Sequence, residues 1–297
     1  MKLLVAYDAS SYADAAIDDL QWAGLPQDAD AIVLSAVEWP LQAPRSWGMV
    51  DTGFPAELEA EIKAAERLAE KGRDRLQKYF PKWQIQAVSS PAGHASTAIL
   101  DKAADWSPNL IVAGTHGRSG LARVLLGSVS LKLIREATCS VRIARARQLG
   151  LPIRIVIGDD GSPEAEAAVA EVSRRTWPAG TEVRVVAVRQ FILPVETANV
   201  PMDPALYAKI NEDEHLRLKS VIQHASEQLA IPGLKVLPVL DEGDPKEMLL
   251  KEARNWNASA IFVGSRGMGR LERILLGSVS SAAVSHAPCT VEVIRKR

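Results

Sequence analysis

Cysteine is scarce: the 297 residues contain two, Cys139 and Cys289. Two thiols without metal-ligand spacing exclude a disulfide-built secreted scaffold and a zinc module, and they predict a reducing compartment. Charge of one sign is lacking too, because 35 Lys and Arg face 36 Asp and Glu for a net charge of −1. A near-neutral chain offers no global attraction to a nucleic-acid backbone or an anionic membrane, so neither is expected as a partner. Long apolar runs are missing as well. The N-terminal run Leu3-Leu4-Val5-Ala6 is too short for a signal-peptide core, and no stretch approaches the roughly 18 residues of a membrane span. These absences predict a cytoplasmic protein. What is present is ordinary for a globular chain, 47% hydrophobic and 24% charged, and its length predicts two domains at roughly 100 to 200 residues each.

The chain repeats itself once. Residues 1–146 superpose on 153–297 with an offset of 150 to 152, bringing Asp8-Ala9-Ser10 onto Asp160-Gly161-Ser162, Ala36-Val37 onto Ala187-Val188, Gly93 onto Gly243, Trp106 onto Trp256 and Cys139 onto Cys289. Gly114 to Ser130 matches Gly264 to Ser280 at 10 of 17 positions. The predicted domains are therefore 1–146 and 153–297, with the boundary in Ala146-Arg147-Gln148-Leu149-Gly150-Leu151-Pro152, where Gly and Pro interrupt regular structure.

Within each half, short apolar runs alternate with segments of helical period, the pattern of parallel strands joined by crossover helices. In the first half the runs are Leu3–Ala6, Ile32–Val37, Ile85–Val88, Leu110–Ala113 and Val141–Ala144. Ala13, Ala16, Ile17 and Leu20 define an amphipathic helix that Ala165, Ala168, Val169 and Val172 repeat. Ser10, Ser162 and Asp244 are predicted N-caps, the last two followed by proline. Leu58, Ile62, Ala65, Ala69, Gly72, Leu76 and Tyr79 form a core seam along a long second helix. The fold class is α/β, two tandem doubly wound parallel five-stranded sheets, and ligands on such sheets bind at strand C-termini where the strand order reverses.

Two features stand at such ends: Asp8 after the first strand and a glycine-rich loop after the fourth. The loop reads Gly114-Thr115-His116-Gly117, nine residues, then Gly127-Ser128; the second half keeps the spacing as Gly264-Ser265-Arg266-Gly267, nine residues, then Gly277-Ser278. Glycines there permit positive φ and close approach of backbone to a ligand. The amides of Gly127, Ser128 and Val129 open a helix and are predicted to hold phosphate without a lysine. Neither a Walker loop nor a Gly-x-Gly-x-x-Gly after the first strand occurs.

These motifs resemble those of the universal stress protein family, whose nucleotide-binding members carry Gly-x2-Gly-x9-Gly-Ser/Thr after the fourth strand. The likeness runs over nearly the whole chain, twice, and includes the Asp ending strand one, a Gly before the third helix, and the entries Ala137-Thr138-Cys139 and Ala287-Pro288-Cys289 to strand five. It implies a fold of the adenine nucleotide alpha hydrolase type and an ATP site in each half, with magnesium optional. By that resemblance Asp8 lies near adenosine, Val37 offers backbone to adenine, Gly114 and Gly117 line ribose and phosphates, and Gly127, Ser128 and Val129 hold the phosphate tail. The second-half counterparts are Asp160, Val188, Gly264, Gly267, Gly277, Ser278 and Val279. Ala9 departs from the family's Asp-Gly-Ser and is expected to restrict the first loop, which favours the second half. The resemblance also implies pairing of Val141–Ala144 with Val291–Ile294 as an intrachain pseudo-dimer, and leaves a further homodimer open.

Several residues keep a plainer reading. His116 becomes Arg266 and His94 becomes Asp244 in the repeat, so neither is read as a catalytic base or metal ligand. Arg118 becomes Met268; the cysteines and Trp106 and Trp256 are expected to pack. No triad, carboxylate pair or metal cluster recurs, so no catalytic residue is assigned and any ATP hydrolysis should be slow. The expectation is an ATP-binding stress-response regulator; a nucleotide-independent interaction or chaperone-like module and a weak ATPase are the alternatives.

Overall fold

The computed structural model describes residues 1–38, 56–117, 126–147, 150–190, 204–267 and 276–296. The chain folds as two units, Met1–Arg147 and Gln148–Lys296. Gln148, Leu149, and both Arg118 and Met268 with most of their nine-residue loops, lie outside the described residues.

Unit 1 runs β1 (Lys2–Ala6), α1 (Ser11–Asp19), a 3-10 turn (Leu20–Trp22), β2 (Asp30–Glu38), α2 (Ala56–Tyr79), β3 (Gln84–Ala92), α3 (Ala95–Trp106), β4 (Leu110–Gly114), α4 (Ser128–Glu136) and β5 (Ser140–Ala144). Its strands pair in parallel in the order β3-β2-β1-β4-β5. Unit 2 repeats the plan: β6 (Arg154–Gly158), α5 (Pro163–Arg174), β7 (Thr181–Arg189), α6 (Pro204–Gln228), β8 (Leu234–Glu242), α7 (Pro245–Asn255), β9 (Ala260–Gly264), α8 (Ser278–His286) and β10 (Thr290–Ile294). Its parallel order is β8-β7-β6-β9-β10. In each unit the order reverses beside the first strand, so the loops leaving β1 and β4, and those leaving β6 and β9, diverge and open a crevice. Among the described residues no helix is long and apolar enough to cross a membrane.

Alternation along β1 sends Leu3, Val5 and Tyr7 into one core cluster with Ala13, Ala16, Ile17 and Leu20 of α1 and its turn and Leu76 of α2. The expected helix starts hold: Ser10 Oγ accepts from Ala13 N at 3.1 Å, Ser162 Oγ from Ala165 N at 3.2 Å, and Asp244 Oδ1 from Lys246 N at 2.8 Å. On the α2 seam Leu58, Ala65, Ala69 and Leu76 are buried, but Tyr79 is 37% exposed. Tyr79 closes the helix's last turn with its hydroxyl donating to Asp18, a polar tie that the surface satisfies better than the core. Cys139 and Cys289 are buried, as expected of packing residues, each immediately before the last strand of its unit. Trp256 is buried; Trp106 is half-buried, with the Lys2 ammonium 5.3 Å from its ring centroid.

Two buried charges interrupt the apolar strands. Arg142 in β5 donates to Asp19 at 2.6 Å, and Arg175 joins Glu292 of β10 to Glu171 while its guanidinium lies 5.2 Å from the Phe262 ring centroid. Arg142 and Glu292 occupy matching strand positions with opposite charge.

Candidate functional site

The turn after each first strand is shaped by its own aspartate. Asp8 Oδ1 accepts from Ser10 N and Asp160 Oδ1 from Ser162 N, both at 3.0 Å. This leaves Oδ2 turned to the glycine loop, where a Cβ on Gly117 would meet Asp8 Oδ2 at 2.9 Å and one on Gly267 would meet Asp160 Oδ2 at 2.5 Å. The turn needs a left-handed residue: Gly161 takes φ +78°, and Ala9 is held at φ 60° in unit 1. The departure at Ala9 is therefore a backbone strain in the first loop.

The loop glycines work differently from the sequence expectation. None of Gly114, Gly117, Gly127, Gly264, Gly267 and Gly277 has positive φ. Close packing fixes the first of each set: a Cβ on Gly114 would stand 2.7 Å from the backbone of Tyr12, and one on Gly264 would stand 2.6 Å from that of Glu164. The start of α1 lies against the end of β4, and that of α5 against the end of β9, at a distance only glycine allows. The amides of Gly127 and Gly277 are also spent, donating to Thr115 and Ser265 carbonyls at 2.8 Å. Gly277 then enters α8 with φ −64° and ψ 159° and no side-chain cap. Among the described residues no acceptor meets the amides of Ser278, Val279 and Ser280. These are the orphan donors of a helix start, carrying the positive end of its dipole. Ser280, not singled out in the sequence, thus replaces Gly277 as the third donor; its hydroxyl is bound to the Ser265 and Gly277 carbonyls. Ser128, Val129 and Ser130 stand likewise at the start of α4, with Ser130 Oγ donating to the Gly114 carbonyl at 2.7 Å.

In unit 2 a cavity of about 790 Å³ opens between these pieces. Asp160, Val188, Gly264, Gly267, Gly277, Ser278 and Val279 all line it. In unit 1 Asp8, Gly114, Gly117, Gly127, Ser128 and Val129 gather at the same strand ends, and Val37 stands near the end of β2, its side chain packed on Leu58 and Ala65 of α2.

The cavity also has a charged wall that the sequence reading missed. Asp159, Asp160, Asp213, Glu214 and Asp244 face Arg217, Lys246 and Arg266 around it. Each cation already has a carboxylate: Arg217 with Glu214 at 2.8 Å, Lys246 with Asp244 at 3.2 Å and Arg266 with Glu164 at 2.8 Å. Asp159 is 5% exposed, and among the described residues its side chain meets one donor, Gly161 N at 2.9 Å. Burial pushes its carboxyl up to about 6; the Gly161 hydrogen bond opposes this, Asp160 and Glu166 add to it, and His224 works against it. The matching residue in unit 1 is Tyr7, whose hydroxyl donates to Asp14 at 2.6 Å and whose acidity is lowered by burial and then by that carboxylate. The only sequence signal was the doublet Asp159-Asp160 ending an apolar strand. His116 leans on Tyr12, ring centroids 5.1 Å apart, where unit 2 has the Arg266–Glu164 pair. Among the described residues no group of three or more His, Cys, Asp or Glu side chains is arranged to hold a metal ion.

Comparison with known proteins covers both units. The model of the universal stress protein family matches residues 1–145 and 153–295. A universal stress protein of Mycobacterium tuberculosis is 33% identical over 196 residues, which are 63% of this chain and 62% of that one; the match thus spans less than two thirds of that relative. The crystal structure of a universal stress protein from Archaeoglobus fulgidus is similar over 100% of this chain and 98% of its own, with a TM-score of 0.66 at 19% identity, a likeness of fold. A family protein from Arabidopsis thaliana, solved with AMP bound, covers 49% of this chain and 93% of its own at 16% identity and a TM-score of 0.35.

Proposed function

The chain belongs to the universal stress protein family, and from that premise we propose that it is an ATP-binding member, a cytoplasmic stress-response regulator that takes adenine nucleotide at the strand ends of each unit. Unit 2 is the stronger site, since its first loop turns on Gly161 where unit 1 strains Ala9. The observation that carries the reading is the set of orphan amides at Ser278, Val279 and Ser280, facing the same cavity as Asp160 and Val188.

Helix-start amides bind phosphate without a lysine, so a P-loop is not needed. The cavity volume of about 790 Å³ falls in the range of roughly 300–1,000 Å³ found for small-molecule sites. Val188 near the end of β7 lies beyond Val186, the last residue of that strand in register with β6, and offers backbone to a base, and Asp160 Oδ2 supplies an acceptor for the nucleoside. The wall carries more carboxylates than cations, and its cations are already paired. That balance fits a phosphate tail that brings its own magnesium better than a bare tetra-anion, and the protein supplies no metal cage of its own among the described residues.

Isothermal titration of the full chain with ATP, paired with thermal unfolding at the same concentrations, tests the proposal. Binding selective for the native state must stabilise it, by about 2.7 kcal/mol at a hundredfold excess over Kd. Heat on mixing and a rise in melting temperature are expected. No heat and identical melting at millimolar ATP would instead assign the chain to the nucleotide-independent interaction modules.

A further inference from the structure

The β6–α5 turn of unit 2 is held from outside by a residue that neither the repeat nor the glycine loop announces. Arg217, on α6, donates from Nη1 to the Asp160 carbonyl oxygen at 3.0 Å. Its Nε and Nη2 are fixed by the two oxygens of Glu214 at 2.8 Å, one helical turn back. The guanidinium sits so close over the turn that a Cβ on Gly161 would lie 2.9 Å from Nη1 and 2.9 Å from Val221 Cγ2. Asp160 is therefore gripped at its carbonyl by Arg217 and at Oδ1 by Ser162 N, with Oδ2 facing Gly267. A planar, bidentate guanidinium–carboxylate pair loses little freedom on making such a contact, which suits it to holding a loop. Unit 1 spends its equivalent helix otherwise. There Arg75 of α2 binds Asp18 at 2.6 Å and Asp14 at 3.5 Å, tying α2 to α1.

We propose that Arg217, braced by Glu214, is a positioning residue for the nucleotide site of unit 2: it fixes the Asp160 turn so that Oδ2 is presented to the nucleoside end of the ligand. The proposal rests on the nucleotide reading above. It assigns Arg217 no contact with phosphate, and that is its distinguishing content. Loss of the clamp weakens every ligand that carries the nucleoside by the same factor, whatever the length of its phosphate tail.

Hydrogen–deuterium exchange of the full chain, titrated separately with adenosine and with ATP, reads each unit on its own through peptides spanning 276–282 and 126–132. Arg217→Met keeps the aliphatic stem and removes the donors; Arg217→Lys restores one cation that can reach the Asp160 carbonyl. For Arg217→Met the concentration giving half-protection in unit 2 is expected to rise roughly tenfold, the worth of one charge-assisted hydrogen bond. The same rise is expected for adenosine and for ATP, with partial recovery in Arg217→Lys and no change in unit 1. Unchanged half-protection in Arg217→Met, or a rise for ATP without one for adenosine, overturns the proposal. Equal loss in Arg217→Lys and Arg217→Met with lowered protection before ligand is added also overturns it, since the residue then only stabilises the unit. If the wild-type chain shows no protection with either ligand, the nucleotide reading itself has failed.

Discussion

Asp159→Asn should stabilise the protein at neutral pH and leave it unchanged in acid. Asp159 is 5% exposed at the end of β6 and faces the like charges of Asp160 and Glu166, with Gly161 N its single donor among the described residues. Burial holds its carboxyl up at about 6, against about 3.9 in an unfolded chain. Between those two values the native state keeps a proton that the unfolded state has released, so stability falls as pH rises through the window. Above pH 6 the whole cost is present, about two pKa units at 1.36 kcal/mol each, or on the order of 2–3 kcal/mol. Asparagine keeps the Oδ1 acceptor for Gly161 N and carries no charge. Urea unfolding of both proteins, followed by tryptophan fluorescence at pH 7.5 and pH 4.0, gives the increment, because all other groups are shared and cancel. A gain of about 2 kcal/mol at pH 7.5 that shrinks toward zero at pH 4.0 is expected. Equal increments at the two pH values, or a loss at pH 7.5, would refute the reasoning that burial of a charge sets this carboxyl.

Three further outcomes follow from the same geometry. Ala9→Gly relieves a left-handed alanine at φ 60° and should stabilise unit 1 by about 0.5–1 kcal/mol, after the added freedom of glycine in the unfolded chain is subtracted; differential scanning calorimetry measures it. Gly264→Ala puts a Cβ 2.6 Å from the Glu164 carbonyl carbon, forcing α5 off β9 at a cost of about 1–3 kcal/mol in urea unfolding. Arg175→Met leaves the fully buried Glu292 without its guanidinium and should cost about 3–5 kcal/mol, read as a fall in the urea midpoint.

Local signals made much of the fold legible. Helix starts at Ser10, Ser162 and Asp244 were readable because a cap is decided by residues two or three apart. The repeat fixed where the second crevice should lie, and the strand order placed it beside β6 and β9. The glycine spacing was readable too, but its reason was not. Gly264 is needed for an approach between α5 and β9, a tertiary distance, and not for a special φ. Arg217 and Glu214 were invisible for a related cause: their spacing on a helix says that they face the same way, not that α6 lies over the Asp160 turn. Tyr79 fitted the helical period of the core seam and yet is exposed at the helix's last residue, where its hydroxyl is tied to Asp18, a tertiary contact that the period does not encode.

The account's central claim is that main-chain amides at the start of α8 grip an adenine nucleotide's phosphate tail. A crystal structure of the chain grown with a non-hydrolysable ATP analogue tests it directly. Phosphate oxygens about 3 Å from the amides of Ser278 and Val279, with the nucleoside against Asp160 and Val188, are the predicted result. An empty crevice at saturating analogue, or an analogue bound elsewhere with those amides still unmet, would contradict it.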